Sequence, residues 1–135
     1  MDVPTAKQKM TKAEGATKQV LAAIEALKKG DFAVAITLAG AAEGMLEGDG
    51  KDVFQALVKA PDVENRKKWI ATLNGERDWL KHVKKEDKRK ELEISSRDAG
   101  FMIARAASKI DTWPPEIEEF KTWFLKEIAA MMAES

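Results

Sequence analysis

Cysteine and tyrosine are both absent from this chain of 135 residues. Without cysteine there is no disulfide, no thiolate metal site and no cysteine nucleophile. A reducing, cytoplasmic setting fits that composition. A single histidine, His82, stands alone. One histidine rules out an intrachain two-histidine zinc site. It also forces any Ser-His-Asp triad onto that residue, and no serine here sits in a strand-to-helix nucleophile elbow. Charge of one sign is missing too, with 23 Lys and Arg against 23 Asp and Glu. A whole-chain basic footprint for nucleic acid is therefore excluded, and any such surface must be local. No apolar run approaches the roughly 18 residues of a membrane span. Met1 to Lys12 lacks the apolar core of a secretory signal. No glycine-rich phosphate loop occurs, because Gly44, Gly48 and Gly50 lack a following Lys-Ser/Thr. No residue pattern calls for a metal or another cofactor.

What is present favours helix. Ala, Lys, Glu and Leu abound, all good helix formers, and no alternating β-branched run stands out. The expectation is a single all-α domain, an antiparallel up-and-down bundle of about five helices, with residues 1–15 as a flexible start.

Periodicity predicts the elements. Thr5 to Lys29 reads as a first helix, with Val20, Leu21, Ile24 and Leu27 on one face. Gly30 stops it, and Asp31 caps a second helix over Phe32 to Glu47. The small residues of Leu38-Ala39-Gly40-Ala41-Ala42 let a neighbour approach closely, which predicts a central place for this helix. Asp52 to Lys59 reads as a short helix. Val63 to Val83 reads as a long one, with Trp69, Leu73, Leu80 and Val83 on one face and a bend at Asn74-Gly75. Lys84 to Lys90 is a charged connector. Ser95 or Ser96 caps a helix to about Ile110 that turns Phe101, Met102, Ala106 and Ile110 inward. Trp113-Pro114-Pro115 forces an extended break. The last helix, Glu116 to Ala133, buries Ile117, Phe120, Phe124, Leu125 and Ile128. Glu116, Glu118 and Glu119 at its start complement the helix dipole.

The chemistry-bearing stretch is Arg77-Asp78-Trp79-Leu80-Lys81-His82. Five residues along a helix rotate a side chain by about 140°. With Trp69 taken as the core direction, Arg77 falls at the core border and His82 points to solvent. One subunit thus makes a poor enclosed site, whereas a two-fold axis beside this helix would gather two Arg and two His in one cleft. Arginine suits phosphate through its planar fork. Histidine suits proton transfer near neutral pH. Lys81, Lys84 and Lys85 lie beside the pair as candidate RNA-phosphate contacts. Asp78, Glu43 and Asn74 are candidate supporting residues. Trp79 projects away from Arg77, toward an expected dimer interface.

Arg77 to His82 resembles the Arg-x4–6-His signature of the HEPN superfamily, and Asp78 supplies the polar residue that usually follows the Arg. Gly30-Asp31-Phe32 through Ala41-Ala42-Glu43-Gly44-Met45-Leu46 is similar to an early HEPN helix, with its Gly-Asp-aromatic entry and Ala-x-x-Ala-x-Glu run. The resemblance covers about residues 17–128. It implies a bundle that homodimerises around the Arg77–His82 helix. In active members it implies metal-independent RNA cleavage, in which the ribose 2′-hydroxyl attacks the adjacent phosphate. It also brings in the defence and toxin–antitoxin setting, with an antitoxin or other protein as partner. One toxin subgroup carries a Tyr two residues after the His. Lys84 stands there in this chain, so that modification has no acceptor. The competing expectation is a non-catalytic helical dimerisation or protein-interaction module. In that reading Arg77 and His82 are ordinary residues of a solvated helix face.

Overall fold

The computed structural model describes residues 1–48, 63–82 and 88–134. The side chains of 63–67 and of Trp69 lie outside that description, as do the expected helix Asp52–Lys59 and residues Val83, Lys84 and Lys85. Among the described residues five α-helices pack into an all-α bundle. They are α1 (Lys12–Lys28), α2 (Phe32–Met45), α3 (Val63–Lys81), α4 (Ser96–Ala107) and α5 (Pro115–Ala133). None of them is long and apolar enough to cross a membrane.

α1 starts at Lys12, not at Thr5. The cause is a local cap. Thr11 Oγ1 accepts the Glu14 backbone N–H at 3.1 Å and donates to Glu14 Oε1 at 3.2 Å. The Thr11 side chain thereby satisfies one of the helix's orphan N–H groups, and residues 1–11 are exposed. Gly30, at φ 78°, reverses the chain between α1 and α2. A left-handed residue of that sort is cheap only for glycine. Asp31 then caps α2 through Val34. So short a link holds α1 and α2 antiparallel and in contact along their lengths.

α4 is the central helix. It packs against α1, α2, α3 and α5, whereas α2 touches α1, α3 and α4. The small residues of α2 do permit close approach, and Ala35, Ala39, Gly40 and Ala42 are buried. α4 nevertheless has the larger number of neighbouring helices, and its Ala99 to Ala104, Ala106 and Ala107 are buried. Ser95 caps it in a full capping box with Asp98. At the other end Trp113 Nε1 donates to the Ala107 carbonyl at 2.9 Å. Ile110 is only half-buried, since α4 ends at Ala107. Pro115 takes the first turn of α5, where its missing N–H costs nothing.

Phe101, Phe120 and Phe124 build the α4–α5 contact, with Phe101 edge-on to Phe124 at 4.7 Å and Phe120 stacked on Phe124 at 5.6 Å. Leu125, expected inside, is 42% exposed. It lies one position past Phe124, where the rotation of a helix carries it off the buried stripe.

Candidate functional site

α3 presents a mixed stripe to the bundle. Leu73 is fully buried and Leu80 packs against the core from its edge. Between them, at helical spacing, stand Glu76 and Arg77. Asn74-Gly75 neither breaks nor ends the helix, which runs unbroken from Val63 to Lys81. A glycine in mid-helix is tolerated where flanking turns are held by packing.

Arg77 crosses α2. A Cβ placed on Gly40 would fall 2.8 and 2.9 Å from Arg77 Cδ and Cγ. The arginine stem therefore lies in the space that glycine leaves open. Its Nη1 then reaches Glu43 Oε2 at 3.5 Å, and Nη2 reaches Asp78 Oδ1 at 3.4 Å. Of the supporting residues expected from sequence, Glu43 and Asp78 thus both meet Arg77.

Asn74 sits elsewhere in the same network. Its Oδ1 accepts from Arg105 Nη1 at 2.7 Å, and Arg105 Nη2 donates to Glu43 Oε1 at 2.9 Å. Lys109 adds a third cation. Its Nζ lies 3.8 Å from Glu43 Oε1 and donates to the carbonyls of Glu43 and Leu46 at 3.3 and 3.5 Å. Those carbonyls belong to the C-terminal turn of α2, where a cation is favoured by the helix dipole. Arg105 and Lys109 escaped the sequence reading. The signal available was their spacing, four residues apart across the end of α4, which brings Lys109 in the following turn to the side that carries Arg105.

The cluster is only partly open to solvent. Side-chain exposure is 26% for Arg77, against 13–15% for Glu43, Arg105 and Lys109. Glu43 Oε2 is buried and accepts no hydrogen bond among the described residues, its contact with Arg77 at 3.5 Å being an ion pair only.

His82 lies outside this network. It follows α3 directly, is exposed, and its backbone N–H closes a last helical turn on the Asp78 carbonyl at 2.8 Å. His82 is thus open to solvent, while the stem of Arg77 lies against α2. Lys81 is exposed beside it. Trp79 is half-buried, and its Nε1 donates to the Arg89 carbonyl at 3.0 Å. That bond ties Arg89, near the end of the charged connector, back to α3 within one chain, a role the expected dimer contact did not include.

Glu76 is the site residue the sequence concealed. It is 4% exposed, and its carboxyl is pushed up to about 8. Burial is the main cause, followed by the charge of Asp98 and a hydrogen bond to it, while Arg89 pulls the other way. Its neighbour Asp98 is the third-position partner of Ser95 in the capping box of α4.

Among the described residues no three His, Asp or Glu side chains stand close enough to hold a metal ion. A groove of about 540 Å³ lies at the other end of α4, between Ile24, Leu27, Phe32, Phe120 and Trp123. It is apolar and separate from the Arg77 cluster. Comparison with known proteins finds no match to the chain among family models, curated proteins or solved structures.

Proposed function

We propose that this chain is a HEPN-like domain that binds RNA as a homodimer and cleaves it without a metal. The observation that carries the reading is Arg77. Its stem is seated over Gly40, and its side chain is 26% exposed near the end of α3, beyond which His82 is open to solvent. An arginine so placed can reach a phosphate without a rearrangement of the core. His82, 140° away around the helix, complements the Arg77 of a second copy better than its own.

In the reaction the ribose O2′ forms a bond to phosphorus and the P–O5′ bond breaks. The products are a 2′,3′-cyclic phosphate and a 5′-hydroxyl. One proton leaves O2′ and one is delivered to O5′, and the two His82 side chains of a dimer supply the base and the acid. Arg77 offsets the charge that builds on the phosphorane. Lys81 draws the backbone toward the site. Nothing in this chemistry calls on a divalent cation.

The test is cleavage of mixed RNA in excess chelator by the wild type and by Arg77→Ala and His82→Ala. Each variant is expected to lose at least about 100-fold in rate, at the low end for removal of a proton-transfer group, with an unchanged helical spectrum. Equal cleavage by all three, or none by the wild type, removes the catalytic reading. The competing reading, a non-catalytic interaction module, is favoured by the ion pairs that already engage Arg77. It predicts no cleavage and no salt-dependent affinity for RNA.

A further inference from the structure

Three cations, from α3, α4 and the turn after α4, converge on one carboxylate, and they do not hold it equally. Arg105 binds Glu43 Oε1 at 2.9 Å and is itself fixed by Asn74 at 2.7 Å. Lys109 stands over the same oxygen at 3.8 Å. Arg77 faces the other oxygen, Oε2, at 3.5 Å and makes no hydrogen bond to it. Its second contact, to Asp78, is also long at 3.4 Å. Arg77, the most exposed cation of the three, thus makes no hydrogen bond to Glu43 and only one long one, to Asp78, whereas Arg105 is bonded to Glu43 and Asn74 and Lys109 to two carbonyls of α2's end.

We infer that Glu43 is a built-in counter-anion neutralised by Arg105 and Lys109, and that this leaves Arg77 releasable to a phosphodiester of RNA. The ligand class is a phosphate oxyanion. Its approach sums the field of all three cations, while only Arg77 moves. A carboxylate this close would ordinarily compete with the incoming phosphate for the guanidinium. Arg105, fixed on the Asn74 side of the cluster, occupies the oxygen that could otherwise close a two-pronged pair with Arg77. Arg105 is therefore a positioning residue, and it acts through Glu43.

The inference rests on Arg77 as the phosphate-contacting residue, and it makes predictions of opposite sign for two neighbours. The probe is a short fluorescein-labelled 2′-O-methyl oligouridylate, which cannot be cleaved. Binding is read by anisotropy at low ionic strength, where exposed charges are least screened. Arg77→Gln weakens binding about tenfold, as for loss of a charge-assisted hydrogen bond. Arg105→Gln also weakens it, by about threefold, because Glu43 then captures Arg77. Glu43→Gln tightens it by about threefold, because the competing anion is gone. The double variant Glu43→Gln/Arg105→Gln returns to within about twofold of the wild type, and it carries the test if Glu43→Gln alone does not fold.

A role for Arg105 in structure alone would lower the melting temperature without this pattern of signs. Weaker binding by Glu43→Gln, or no change in Arg105→Gln while Arg77→Gln still loses affinity, overturns the inference and leaves the RNA-binding reading standing. Affinity that follows the expected signs without cleavage by the wild type supports the inference and removes only the catalytic step. Competition by inorganic phosphate as effective as by unlabelled oligonucleotide would show a site for free phosphate, which overturns the RNA assignment.

Discussion

Glu76 shows how one residue writes itself into the whole stability curve. Its carboxyl ionises at about 8 in the folded chain, against 4.5 for the ordinary group. The folded state therefore holds a proton that the unfolded state has released between those two values. Stability from this residue is complete below about pH 4.5 and is lost as the pH rises toward 8. Glu76→Gln keeps the neutral shape and removes the titration. The variant should melt a few degrees above the wild type at pH 9 and close to it at pH 5. Thermal melts across that range check this, and parallel curves for the two proteins would refute it. Gly40 makes a second residue-scale prediction. Alanine in mid-helix normally adds about 1 kcal/mol over glycine, but here its Cβ would strike the Arg77 stem. Gly40→Ala should leave the melting temperature within a few degrees while RNA cleavage falls with the displaced arginine. A clear gain in stability with cleavage intact would mean that Arg77 does not use the gap.

At the scale of the element, α3 is the least conventional helix in the bundle. It has glycine in its middle and two charged residues on its packed stripe, and among the described helices it packs mainly against α2 and α4. Gly75 marks the place where its stability can be raised. Among the described residues an added Cβ there would meet only Arg89 Nη2, at an ordinary 3.8 Å. Gly75→Ala should then stabilise the chain by about 0.5–1 kcal/mol, measured by urea unfolding. A loss instead would show that α3 depends on a local distortion at Asn74-Gly75. The remaining helices start and stop where their local chemistry says. Thr11, Asp31 and Ser95 each accept a backbone N–H at the first turn, and caps of this kind contribute about 1 kcal/mol each. The opening of α1 was readable from Thr11-x-x-Glu14. Periodicity alone extended the helix back to Thr5, because Ala6, Lys7, Gln8 and Lys9 are good helix formers without a face to bury.

For the whole molecule, the proposed dimer is the decisive quantity. A two-fold contact around α3 makes both the oligomeric state and the RNA cleavage dependent on protein concentration. Light scattering and initial rates measured over the same dilution series should fall together. Full specific activity in a sample shown to be monomeric would mean that one chain supplies both groups. Within the chain, the bundle already commits α3 to the edge, with its Arg77 side turned to α2 and α4 and His82 turned away. The C-terminus is fastened separately, by Arg97 on Glu127 and, through two hydrogen bonds, on Glu134. Those contacts are largely exposed and add little to stability.

By itself the sequence determined the all-α class, the positions of the principal helices and the outward aim of His82 relative to Arg77. Those properties follow from local caps, glycine stops and a 3.6-residue period, which short stretches of chain carry unaided. Only the tertiary structure decided that α4, and not the small-residue helix α2, lies at the centre. It also decided that Glu76 is buried and that Arg77 shares Glu43 with Arg105 and Lys109. Glu43 and Arg105 are 62 residues apart in the chain. No local rule can bring such side chains to one place, because that meeting is set by how whole apolar faces choose their partners.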